Sequence, residues 1–217
     1  MCQTWIKEGC WQKQTGNEGK RVFFWKVLKG KLRRSSLAAM PTAEEIYRPQ
    51  TSSVVTQPFI DHCCRLYALD HSGDHGYAHW MRVLYNGRML AQATGANLKV
   101  VELFALLHDT HRRNELSDPG HGLRAAKYTK RYLSGTLEGY NFGLDESEID
   151  TLCFAIAKHT GSNPEEAPNI TVAVCWDADR LDLARVGIVP DPDRLCTELA
   201  RSPTTIQQAS ARTTYSL

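Results

Sequence analysis

The stretch "NLKVVELFALLHD", residues 97–109, decides the fold class. Asn97 is an N-cap residue, able to accept a hydrogen bond from the first free backbone N–H groups of a helix. Behind it, Leu98, Val101, Ala105 and His108 run down one side at helical spacing, while Phe104 and Leu107 broaden the apolar face. A helix this apolar is bound for a core, yet it ends on an imidazole and a carboxylate, His108 and Asp109. Burying such groups without partners is costly. A metal ion removes the cost, because it takes neutral imidazole nitrogen and carboxylate oxygen as ligands. The helix therefore enters the core to deliver a pair of metal ligands.

The same period recurs on both sides of this helix. "PFIDHCCRLYALD" places Phe59, Cys63, Leu66 and Tyr67 at helical spacing, and "AHWMRVLYNGRMLAQAT" follows with Val83, Leu84, Gly87, Leu90 and Ala91. "GLRAAKYTKRYL" is a more polar helix. Asp145 and Glu148 form a capping-box start to "ESEIDTLCFAIAKH", whose Ile149, Leu152, Cys153, Ile156 and Ala157 make a buried stripe. A last long helix is expected from about Thr171 to Arg185. Period-two alternation is nearly absent, so the predicted fold is all-α, a compact bundle of five or more helices.

Composition sets the boundaries. With 217 residues and 42% apolar content, the chain has material for one substantial core. Residues 1–40 hold nine Lys/Arg against two Glu and three of the five tryptophans (Trp5, Trp11, Trp25), which leaves the remainder acidic on balance. They show no sustained period and read as a poorly ordered basic extension, with nucleic-acid contact as a lesser alternative. The folded unit is expected over 41–200, with Met40 as a candidate start, and 201–217 reads as a polar tail. No uninterrupted apolar run approaches the roughly 18 residues of a membrane span. Seven scattered cysteines without a C-x-x-C pair fit reduced thiols in a cytoplasmic protein.

Ligand-type residues fall at helix ends. His79 follows the turn "HSGDHG", His108 and Asp109 close the next helix, His159 closes another, and Asp179 sits within "DADRLD". His75 can reach the same place from its loop, whereas His62 and His111 read as a surface and a loop residue. Asp118 reads as a turn former close enough to orient His121. Asp177 competes with Asp179. Two residues apart on a helix, they face opposite ways, and Val172, Cys175, Trp176 and Leu183 share a face with Asp179. Asp182 then buttresses the site from its edge.

These motifs, "HWMRV" (His79, Arg82, Val83), "ALLHD" (His108, Asp109) and "DADRLD", taken in order over residues 58–190, resemble the HD-domain superfamily of metal-dependent phosphohydrolases. The resemblance implies a helical HD-domain bundle, a divalent ion (Mn, Co, Ni, Mg, Zn or Fe) held by His79, His108, Asp109 and Asp179, and hydrolysis of phosphoester bonds, often in nucleotides. In its two-metal members the order His, His-Asp, His, His, Asp is reproduced here by His79, His108, Asp109, His121, His159 and Asp179. In one-metal members residues at the places of His121 and His159 bind phosphate or donate a proton, so one ion per chain and two both stay open.

The residue types carry the chemistry without the resemblance. Two His and two carboxylate ligands leave room for water and a substrate oxygen, so the ion can acidify the water and polarise a phosphoryl group. Asp109 can accept the proton of that water. Arg112, Arg113 and Arg124, near the ligands in sequence, are the candidates for a small phosphorylated substrate, because forked guanidinium donors match phosphate oxygens. Arg82 and Arg180 read as structural ion-pair partners. A di-iron oxygenase on the same scaffold, which needs both ions, and an inactive binding module, which needs none, are the alternatives.

Overall fold

The computed structural model describes residues 40–135 and 141–215. The expectations for the basic extension before Met40 lie outside these residues. Among them there is no strand, and the secondary structure is nine α-helices and three 3-10 turns. Helix α1 is Ala43–Tyr47, α2 Gln57–Leu66, α3 Tyr77–Thr94, α4 Leu98–Leu107 and α5 His121–Leu133. After residues 136–140 come α6 Glu146–Lys158, α7 Ile170–Arg180, α8 Glu198–Arg201 and α9 Pro203–Arg212.

Local signals start these helices where the sequence places them. Asn97 Oδ1 accepts from the backbone N–H groups of Lys99 and Val100 at the head of α4. Asp145 and Glu148 close a reciprocal capping box on α6. Helix α4 is the centre of the bundle, with every residue from Val100 to Leu107 buried. It packs against α3, α6 and α7, while α3 also meets α7 and α5 lies along α6. The ends of α3, α4, α5, α6 and α7 are thereby gathered around one point.

Two segments differ from expectation. The helix predicted to reach Arg185 ends at Arg180: Asp182 leaves helical geometry, and Leu183–Val186 tightens into a 3-10 turn closed by Gly187 at φ +76°. The stretch read as a polar tail forms α9, which buries Ile206 and Ala209. Arg212 on α9 is also buried, with its guanidinium 4.9 Å over the Tyr85 ring and Nη2 donating to Asn86 Oδ1 at 2.6 Å. The buried face of α9 is short and uses small or polar residues, so it leaves no apolar period to read.

Candidate metal centre

His79 lies in the first turn of α3, and His121 is the first residue of α5. His108, Asp109, His159 and Asp179 come from the C-terminal ends of α4, α6 and α7. The negative ends of three helix dipoles and the positive ends of two, those of α3 and α5, thus meet at this place and largely offset one another, so the charge of the site is set by its carboxylates. Glycine permits part of this assembly. A Cβ on Gly122 would lie 2.6 Å from the Ile156 carbonyl oxygen, so only a glycine lets α5 approach α6 closely enough for His121 to face His159.

The hydrogen bonds of the four imidazoles define their tautomers. His108 Nδ1 donates to the carbonyls of Phe104 and Ala105, both at 3.2 Å. His121 Nδ1 donates to the Asp118 carbonyl at 2.6 Å, and His159 Nδ1 to the Ile156 carbonyl at 2.7 Å. His79 Nδ1 donates to Asp182 Oδ2 at 2.7 Å, and that carboxylate is held in turn by Arg82, with Nε 2.6 Å from Oδ1. With every Nδ1 committed as a donor, each ring in its neutral form presents a lone pair at Nε2.

Those lone pairs meet. His79 Nε2 is 3.1 Å from His108 Nε2, and His121 Nε2 is 2.8 Å from His159 Nε2. Two acceptors at this distance repel each other unless a cation or proton joins them. Nitrogens bound at roughly 2.0–2.1 Å to one ion sit about 3 Å apart, which is the spacing of both pairs. Asp109 stands between the pairs. Its Oδ2 is 3.7 and 3.6 Å from the Nε2 atoms of His79 and His108, and its Oδ1 is 3.0 and 3.6 Å from those of His121 and His159. Asp109 Oδ1 is buried and has no well-formed hydrogen bond. Asp179 Oδ1 completes the first group, 3.3 Å from His79 Nε2 and 3.8 Å from His108 Nε2. These residues form overlapping clusters with spacing suited to metal ligation, and their donor set fits divalent cations.

Burial works against the charged form of every group in the cluster. It pushes the His108 imidazole down to about 3, so that ring stays neutral and available as a ligand. For Asp109 burial acts upward, but the surrounding imidazoles outweigh it and hold the carboxyl well below its ordinary range. Asp179 is lowered in the same way.

A model of the HD domain matches residues 76–184, half of the chain. The chain belongs to the HD-domain family. No curated protein and no solved structure matches it. Membership places the protein in a superfamily of metal-dependent hydrolases. The matched span of this HD domain begins at Gly76, at the head of α3, and ends just beyond Asp182, so it contains all the residues gathered here. No helix among the described residues is long and apolar enough to cross a membrane.

Beside the HD-domain cluster lies a cavity of about 180 Å³, lined by His75, Asp109, Arg112, His159, Thr160, Asp179, Arg180, Leu183, Arg185, Ile188 and Arg194. Of the three arginines expected to face substrate, only Arg112 lines it, with Nη1 3.6 Å from Asp109 Oδ1. Arg124 instead pairs with Asp118 and donates to the His111 carbonyl, which pins the loop ahead of α5. Arg113 is exposed, and its backbone N–H donates to the same Asp118 carboxylate. Asp118 therefore orients His121 through its backbone carbonyl, not its side chain. His75 does line the cavity, with Nδ1 2.6 Å from Glu115 Oε2. Arg180, read as a structural ion-pair partner, has only neutral acceptors, and Arg185 and Arg194 carried no motif to single them out. The Pro-flanked turn "PDPDRL" around Arg194 was the one available signal, since proline fixes a loop before an arginine.

Proposed function

We propose that this HD domain is a phosphohydrolase that uses two divalent ions sharing Asp109, one with His79, His108 and Asp179 and the other with His121 and His159. The observation that carries this reading is the position of Asp109, whose two carboxylate oxygens are turned toward two separate pairs of imidazole Nε2 atoms. When bound, such ions acidify a coordinated water and polarise phosphoryl oxygens.

The chain's own groups serve a phosphoester. Arg112 is held beside Asp109 and lines the cavity, where its guanidinium is placed to donate to a phosphate oxygen. Thr160 Oγ1, 3.3 Å from His121 Nε2, adds a hydroxyl at the cavity wall. His75 is fixed through Nδ1 by Glu115, itself held by the Tyr67 hydroxyl at 3.1 Å, and burial keeps the imidazole from charging, so Nε2 is left with a lone pair that can accept a proton from the attacking water. The cavity is smaller than the roughly 300 Å³ at which pockets begin to enclose drug-sized ligands, so it suits a small phosphorylated molecule or the charged end of a larger one.

A shared carboxylate between two histidine pairs also suits a di-iron oxygenase. The arginine-lined wall favours the phosphoester. The test is to count metal in the purified protein, then assay p-nitrophenyl phosphate with Mn, Co, Ni or Mg in parallel with oxygen uptake on Fe(II). Two ions per chain and metal-dependent release of nitrophenol are expected. Oxygen uptake without hydrolysis, or a chain that binds no metal, would overturn the assignment.

A further inference from the structure

Four arginines reach the cavity, and two of them differ from the rest in how they are held. Arg112 leans toward Asp109, and Arg185 lies 3.9 Å from Asp182, so both share charge with carboxylates of the centre. Arg180 and Arg194 do not. Arg180 is buried, donating through Nη1 to the Arg194 carbonyl at 2.7 Å and through Nη2 to the Ser162 carbonyl at 2.5 Å, with its guanidinium 5.5 Å over the Trp176 ring. Arg194 donates through Nη1 to Asn163 Oδ1 at 2.6 Å. All these acceptors are neutral, and neither guanidinium has a carboxylate at ion-pair distance among the described residues. The two side chains are fixed in direction while their charges stay uncompensated.

The backbone beneath Arg194 is fixed as well. It ends a 3-10 turn that begins at Pro192, and two residues later Asp177 accepts from the N–H groups of Cys196 and Thr197 and from the Thr197 hydroxyl. Holding cationic side chains rigidly, partly buried and without a counter-charge is unfavourable in the free protein. An anion entering the cavity offsets that cost. The metal ligands already provide for one phosphoryl group on the Asp109 side.

We propose that Arg180 and Arg194 form a second anion subsite, so that the substrate carries a second anionic group close to its scissile phosphoester, as a diphosphate, a bisphosphate or a phosphorylated carboxylic acid does. This rests on the phosphohydrolase reading of the adjoining centre. The small cavity requires the two anionic groups to be near neighbours, since both arginines line the same 180 Å³ as Asp109 and Asp179.

The experiment measures binding of three unreactive or product-like probes to the Mn-loaded full chain by calorimetry: orthophosphate, methylenediphosphonate and phosphonoacetate. Either or both two-anion probes should bind at least about ten-fold more tightly than orthophosphate, and which one does so separates a phosphate from a carboxylate as the second group. Because a diphosphonate also chelates metal better, the deciding comparison is Arg194→Gln, which removes the charge, with Arg194→Lys, which keeps it. A hydrogen bond to a charged group is worth roughly ten-fold or more in affinity, so Arg194→Gln should weaken the preferred two-anion probe by that factor, with orthophosphate within two-fold and metal content unchanged. Arg194→Lys should recover part of the loss. Equal weakening of all probes would place Arg194 at the first phosphoryl group, and no weakening would remove it from the site; either result overturns the second subsite while leaving p-nitrophenyl phosphate hydrolysis, and the reading it tests, intact. If metal does not bind, the two-anion preference measured on the metal-free chain, with and without Arg194→Gln, still decides the subsite.

Discussion

Asp177 and Asp179 stand two residues apart on α7 and are turned to opposite sides of it. Asp179 sets Oδ1 3.3 Å from His79 Nε2, whereas Asp177 takes three hydrogen bonds from Cys196 and Thr197 on the far side. At about 3.6 residues per turn, two positions rotate a side chain by roughly 200°. One helix therefore serves the metal centre with one carboxylate and anchors the loop that carries Arg194 with the other.

Replacing each with asparagine separates the roles. Asp179→Asn is expected to lose metal and turnover. Asp177→Asn should keep its metal but lose about 1–3 kcal/mol of stability, because its amide nitrogen would face a backbone donor in a buried place. Metal analysis and denaturant unfolding of both variants check this, and metal lost with Asp177 but kept without Asp179 would reverse the assignment.

Asp182 touches no cluster carboxylate or Nε2, yet it fixes the His79 ring through Nδ1 and is itself clamped by Arg82. Partners that orient a ligand histidine change metal affinity by roughly 10–100-fold. Asp182→Asn is expected to raise the metal dissociation constant by that range, with the site refilled at high metal concentration. A metal titration that matches the parent chain would show that the ring needs no such support.

Arg112 and Arg124 should part company. Arg124→Ala breaks the Asp118 pair and the bonds to the His111 carbonyl, so a loss of about 1 kcal/mol and a lowered melting temperature are expected, with turnover per folded molecule little changed. Arg112→Ala should depress turnover on a phosphomonoester by about ten-fold or more, since a charge-assisted contact is removed from the cavity. Melting curves and initial rates on the two variants distinguish them.

Removing metal should loosen the fold around the cluster. Ions that bind only the native state at 100 times their dissociation constant add about 2.7 kcal/mol. For a chain of this size that corresponds to a fall of roughly 5–10 °C in melting temperature on adding a chelator, with recovery when metal is restored. An unchanged melting temperature on addition of chelator would mean that the clustered imidazoles hold no ion.

Much of the architecture was legible because it is written at short range. Asn97, and Asp145 with Glu148, start helices by bonding backbone groups two or three residues away, and the apolar face of α4 repeats at 3.6. His79, His108, Asp109 and Asp179 could be picked out because costly groups stood beside core residues in helical register. The sequence therefore determined the helical class and the chemical types gathered at the centre. Only the tertiary structure decided which oxygen of Asp109 faces which histidine pair, that Arg124 turns to Asp118 while Arg180 and Arg194 line the cavity, and that α9 closes over α3 through Arg212. The physical reason is reach. A guanidinium on a long flexible stem takes its partner from whatever the packed helices bring near it, and residues distant in the chain supply that partner, so neighbouring sequence does not predict it.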